Sequence, residues 1–91
     1  MRIISQDGLS DYPYNYIVVF VNHLERNKIG AMIWGDACGD FELAEYNSDE
    51  DALYVMEAMR KAMKYGYDYF YMPSADYVPI MRKKAAEGGE L

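Results

Sequence analysis

The sequence predicts an α+β domain: an antiparallel sheet of four or five strands, one long helix packed on a face of it, and a short C-terminal helix. Three observations predict it. Runs of β-branched and aromatic residues, separated by turn dipeptides, fill the chain up to Tyr46. A capped run of helix formers follows, from Ser48 to about Tyr65. An alternating tyrosine-rich stretch, residues 67–72, then leads through Pro73 into a last helical pattern.

Each element has a local reason. "MRIISQ" is a short β-prone run closed by Asp7–Gly8, a turn dipeptide. Pro13 holds "DYPY" extended. Tyr16 to His23, "YIVVFVNH", is the clearest strand, and its near-continuous hydrophobicity predicts burial on both faces, by the helix on one and by another subunit on the other. Ile29 to Trp34 returns as a second strand after the polar turn "LERNK". Phe41 to Tyr46 is a third, with Phe41, Leu43 and Glu45 alternating against Glu42, Ala44 and Tyr46. Ser48 followed by Asp51 is a capping-box pattern, three acids suit the first turn, and Gly66 is the stop. In residues 67–72 the tyrosines fall on one face, with Phe70 and Met72 on the other. The second helix begins near Asp76 with Pro79 in its first turn, and residues 88–91 fray.

The totals exclude several classes of function. A chain of 91 residues holds one domain, 1–91, and its 52% hydrophobic composition excludes disorder. A net charge of −6 argues against a duplex nucleic-acid binder, yet a small phosphorylated ligand needs only one or two placed cations. One cysteine, Cys38, cannot form an internal disulfide, and neither a signal sequence nor a long apolar run is present; a cytoplasmic protein with no membrane contact is expected. Ten tyrosines suggest surfaces that are partly covered by partners, subunits or ligands, although most would line a small core.

The central helix holds the main cationic cluster. At about 100° per residue, Ala52, Met56, Met59 and Met63 form the stripe that packs on the sheet, with Leu53 and Val55 at its margins. Arg60 lies on a border of that stripe, Lys64 one turn beyond it, and Lys61 points to solvent. Two readings stay open: Arg60 pairs with Glu57 on a solvated edge, or Arg60 and Lys64 contact phosphate. His23, Arg26 and Lys28 make a cationic turn, which is a second candidate or a plain hairpin tip. The single histidine has no assignable triad partner, so no enzyme is expected. One His and one Cys exclude a structural zinc site, the spacing of Asp36 and Asp40 fits no calcium loop, and no cofactor fingerprint is present.

The opening "MRIISQDG" followed by "DYPY" resembles a family of small proteins from phages and integrated elements of Gram-positive bacteria. The likeness continues through "LAEYNSDEDALYVMEAMR" and ends on "FYMP", Phe70 to Pro73, so it spans nearly the whole chain. Its most specific part is the octapeptide. That family looks like the first type of Thoeris anti-defence proteins, which bind glycocyclic ADP-ribose and hold it intact. Members assemble as hexamers, and some bind cyclic trinucleotides at separate sites. The resemblance implies a sponge for cyclic nucleotide signals that works as a homo-oligomer in the infected cell. It matches the arginine of the family's Met-Glu-x-x-Arg pattern to Arg60. The chain lacks an insertion that longer relatives carry before the last strand, which leaves the exact ligand open.

The expected site therefore comprises Arg60 for phosphate, with Lys64, Arg26 and His23 in support, and Tyr14, Trp34 and Phe70 as stacking or pocket-wall residues. The competing reading is an acidic inhibitor that mimics DNA and blocks a host nuclease, motivated by the charge and the acids of 36–51. A small phosphodiesterase is disfavoured by the missing catalytic set.

Overall fold

The computed structural model describes residues 1–33 and 39–88. Its elements run β1 (Arg2–Ile4), β2 (Asp11–Pro13), a 3-10 turn (Tyr14–Tyr16), β3 (Ile17–Val21), β4 (Lys28–Ile33), β5 (Phe41–Glu45), α1 (Asp49–Lys64), β6 (Tyr69–Tyr71) and α2 (Val78–Gly88). The class is α+β, as expected, but the strands divide into two three-stranded sheets instead of one sheet of four or five. β3, β4 and β5 form an antiparallel meander. β2, β1 and β6 form the other sheet, in which β1 pairs antiparallel with β2 and parallel with β6. β1, β2 and β6 are three residues each, and they pair with one another across the chain.

The first ten residues join the two sheets. The Gln6 N–H donates to the Leu43 carbonyl at 2.9 Å, on the outer edge of β5. Its side-chain amide then behaves like one more strand residue: Oε1 accepts from the Glu45 N–H at 3.0 Å, and Nε2 donates to the Glu45 carbonyl at 3.0 Å and to the Pro73 carbonyl at 3.1 Å. Ser5 and Asp7 close the following turn, where Gly8 takes a φ of 76° that an L side chain adopts only with strain. Ile3 is fully buried and belongs to the core.

The core is one cluster that draws Ile3, Met72 and Val78 together with Ile29, Ala31, Leu43, Ala44 and Tyr46 of the meander and with α1. A β-bulge explains one departure from the expected alternation. The register of β4 against β5 slips between Ile29 and Gly30, so Leu43 is the extra residue. Phe41 and Leu43 point inward as expected, but beyond the bulge the phase inverts: Ala44 and Tyr46 are core and Glu45 is exposed. Burial holds the Tyr46 phenol well above its ordinary pKa, and its hydroxyl donates to the Pro73 carbonyl at 2.8 Å.

α1 is capped as its sequence predicts. The Ser48 hydroxyl accepts from the Asp51 N–H, and Asp49, Glu50 and Asp51 fill the first turn. The box is only half made, because the buried Asp51 carboxylate accepts from Arg82 of α2 at 2.6 Å. At the other end the Gly66 N–H donates to the Met63 carbonyl and the Tyr67 N–H to the Ala62 carbonyl, with Gly66 at φ 78°. That pair of bonds is a Schellman motif. The buried stripe is Ala52, Val55, Met56, Met59 and Ala62, rotated from the expected one: Met63 and Leu53 are exposed and Val55 is central. α1 rests on β3 and β4 along this stripe and touches α2 beside it.

β3 differs from expectation as well. None of its five residues is fully buried. Ile17, Val19 and Val21 pack against the core, while Val18 and Phe20 occupy the other face. In β6 the expected alternation holds over a shorter length, with Tyr69 and Tyr71 outward and Phe70 inward. No helix among the described residues is long and apolar enough to cross a membrane.

Candidate functional site

Three clefts follow one another along the outer side of α1. The first, of about 440 Å³, lies between the turn after β3 and the start of α1 and includes His23, Arg26, Asp49, Glu50 and Leu53. The second, of about 430 Å³, continues from Glu50 and Leu53 past Tyr54 and Glu57 to Lys61 and Arg82. The third, of about 350 Å³, is bounded by Ala58, Lys61, Ala62, Tyr65, Tyr67 and Phe70. Neighbouring clefts share residues, Glu50 and Leu53 at one junction and Ala58 and Lys61 at the other, so they form one track.

The geometry of the third cleft comes from local sequence. Ala58, Lys61, Ala62 and Tyr65 stand at i, i+3, i+4 and i+7, which is one helical face. The two alanines leave a shallow floor, with Lys61 and Tyr65 rising on its sides. The Gly66 stop reverses the chain and brings Tyr67 and then Phe70 back over the end of the helix. Tyr65 and Tyr67 are 70% and 62% exposed, so most of each side chain is open to solvent. Among the described residues, Lys61 makes no ion pair or side-chain hydrogen bond.

The expected site residues are dispersed. Arg60 pairs with Glu57 at 3.1 Å on an exposed surface, and it lines none of the three clefts. Lys64 lies with its ammonium 5.9 Å from the centroid of the Tyr65 ring, also outside them. His23 and Arg26 do come together, but Asp49 and Glu50 face them across the first cleft and offset their charge. Tyr14 is half-buried against the core. Phe70 lines the aromatic cleft. Trp34, along with Asp36 and Cys38, lies outside the described residues.

Sequence reasoning missed Lys61, Tyr65, Tyr67 and Arg82. Lys61 does lie opposite the sheet, but that side is flanked by α2 at one end and by Tyr67 and Phe70 at the other. The Ala-x-x-Lys-Ala-x-x-Tyr spacing ahead of a helix-ending glycine was the available signal. Arg82 has two neighbours of different kinds, the buried Asp51 carboxylate and the second cleft, and only 41% of its side chain is exposed.

The described part of the molecule has no buried side-chain nitrogen or oxygen without a hydrogen-bond partner. Its polar interior is satisfied. No group of three His, Cys, Asp or Glu side chains among the described residues is placed to hold a metal ion. The chain matches no protein-family model, no curated protein and no solved structure.

Proposed function

We propose that this protein is a non-enzymatic binder of cyclic nucleotide signals, glycocyclic ADP-ribose first and cyclic trinucleotides second, and that it sequesters them intact as a phage anti-defence sponge. One observation carries the ligand chemistry: an ammonium with no ion-pair partner among the described residues, Lys61, at the junction between an aromatic cleft and a cleft bordered by Arg82. A purine on Tyr65, Tyr67 or Phe70 would contribute about 1–3 kcal/mol by stacking. A phosphate over Lys61 would add about 1.5–3 kcal/mol through a charge-assisted hydrogen bond. Glu50 and Glu57 are acceptors suited to ribose hydroxyls along the same track.

The biological part of the reading rests on the family resemblance and on the homo-oligomer it implies, in which copies of one modest site gather around an axis. Arg60 remains a ligand group in that reading if a second copy brings a cleft to it. Its bond to Glu57 is exposed and worth little, so a phosphate could displace it.

Native mass spectrometry of the protein with glycocyclic ADP-ribose, and separately with a cyclic trinucleotide, tests the proposal. Ligand should be retained at fixed stoichiometry and released unchanged on heating, and Lys61→Ala should weaken binding at least tenfold, about 1.4 kcal/mol. Recovery of a cleaved ligand would overturn sequestration. Uptake of neither ligand would overturn the nucleotide reading, and a salt-sensitive complex with a host nuclease would then favour the acidic inhibitor.

A further inference from the structure

The two edges of the meander are treated differently. The outer edge of β5 is closed by Gln6, whose backbone and side chain occupy Leu43 and Glu45. The outer edge of β3 is met by no described strand. Natural edge strands are blunted by short length, charges, proline or a bulge. β3 has none of these devices: it reads Ile-Val-Val-Phe-Val and pairs with β4 in unbroken register. From Tyr12 to Leu24 the chain carries no Asp, Glu, Lys or Arg, although 26% of its residues are charged. Two copies with a net charge of −6 repel each other least along this segment.

The hydrogen-bond parity of the free edge is defined. The Asn22 N–H donates to the Lys28 carbonyl at 2.8 Å, and these two residues are opposite in the β3–β4 register. Asn22, Phe20 and Val18 therefore direct their backbone groups at β4, while Ile17, Val19 and Val21 direct theirs outward. The Ile17 N–H is already taken by the Tyr14 carbonyl of the 3-10 turn. The N–H groups of Val19 and Val21 and the carbonyls of Ile17, Val19 and Val21 have no partner among the described residues.

We infer that β3 is a self-association edge, and that two copies join it antiparallel about a twofold axis with Val19 opposite Val19 of the second copy. In that register the two Val19 residues exchange both of their hydrogen bonds, and each Val21 N–H meets the Ile17 carbonyl of the other copy. Every outward N–H that is not already bonded then has an acceptor. Side chains agree on both faces. Ile17 comes beside Val21 on the core face, and Val18 comes beside Phe20 on the outer face, an aromatic pair with a β-branched residue at the closer, non-hydrogen-bonded spacing. A shift by one residue would point bonded groups at free ones, so this register is favoured over its neighbours. The inference needs no ligand, and it rests on the function proposed above only in supplying a surface for its homo-oligomer; a monomeric protein that still retained nucleotide would overturn it without overturning sequestration.

Sedimentation equilibrium of the ligand-free protein over a concentration series, with amide hydrogen exchange on the same samples, tests it. The mass should rise from 10.5 kDa toward twice that value, and the Val19 and Val21 amides should slow together as it does. Val18→Lys, on the outer face, should weaken self-association at least tenfold with an unchanged far-ultraviolet spectrum. Should that variant unfold, the exchange of Val19 and Val21 in the parent protein decides alone. A protein that stays monomeric at millimolar concentration, or a dimer in which these two amides exchange as fast as in the monomer, overturns the inference.

Discussion

The N-terminal hook (residues 1–10) and the track along α1 both carry polar side chains and exposed positions, but they use them in opposite ways. In the hook, Ser5, Gln6 and Asp7 direct their side-chain oxygens and nitrogens at groups of the same chain. In the track, Lys61 has no partner among the described residues, and Tyr65 and Tyr67 leave most of their surface to solvent. A side chain whose hydrogen bonds are all internal specifies a fold, and one whose groups are free is available to another molecule. The octapeptide that carries the family resemblance lies wholly in the first region, and the carbonyl of Pro73, which ends the Phe-x-x-Pro motif, is the acceptor for Gln6 and Tyr46. Those motifs are fold signatures. Ligand chemistry has to be argued from the second region.

Ile3→Ala is the harshest test of the hook. Ile3 is fully buried where the short sheet meets the core, and deleting such a side chain costs about 2–5 kcal/mol through lost transfer energy and the cavity left behind. Urea unfolding should show a large fall in midpoint with the slope unchanged. A loss below about 1 kcal/mol would mean that the hook does not order the core.

Gln6→Ala comes next. It removes three side-chain hydrogen bonds and leaves the Glu45 N–H and carbonyl dependent on water. Each bond is worth about 0.5–1.5 kcal/mol net, and because the site is partly exposed the expected loss is about 1–2 kcal/mol. Hydrogen exchange should localise it, with the Glu45 amide accelerating while the centre of α1 does not.

The track should respond in the reverse sense. Lys61→Ala and Tyr65→Ala touch exposed side chains that make no hydrogen bond among the described residues, so stability should change by no more than about 0.5 kcal/mol. Nucleotide affinity, under the function proposed above, should fall at least tenfold. If either change destabilised the protein as much as Gln6→Ala, the contrast between the regions would fail. The track would then be structural.

What was legible in the sequence divides along the range of the interactions. Ser48 and Gly66 marked the ends of α1 correctly because capping is settled within a few residues. The pairing of β1 with β6 was not legible, since it joins opposite ends of the chain and turns one expected sheet into two. Tyr46 was placed on the wrong face because the Leu43 bulge depends on β4, not on the β5 sequence. The clasp of Arg82 on Asp51 was hidden for the same reason: the pattern around Ser48 predicts that Asp51 folds back on its own helix, and only the position of α2 diverts it. For the site, the wheel placed Arg60 on the border of the stripe and Lys61 toward solvent, and the family resemblance singled out Arg60; a single-helix projection contains neither α2 nor Phe70, which border the clefts beside Lys61.

The smallest expected effect lies in the hook and concerns protons. The Asp7 carboxylate accepts from the Ser5 hydroxyl at 2.6 Å and from the Leu9 N–H at 2.9 Å, and these bonds, the serine's first, hold its pKa below 3.8. A carboxyl with a depressed folded value binds protons more weakly folded than unfolded. Its stabilising contribution is complete above 3.8 and is lost as pH falls through the folded value. Titration of the Asp7 carboxyl by NMR should therefore give a midpoint below 3.8, and Ser5→Ala should move it up. Asp7→Asn should flatten the pH dependence of stability in that acidic window and lower neutral stability only slightly, since the contribution it removes comes from an exposed, screened group. A midpoint at or above 3.8 would mean that the Ser5–Asp7 bond does not persist in solution. The hook would then be held by Ile3 and Gln6 alone, and its contrast with the track would narrow to those two residues.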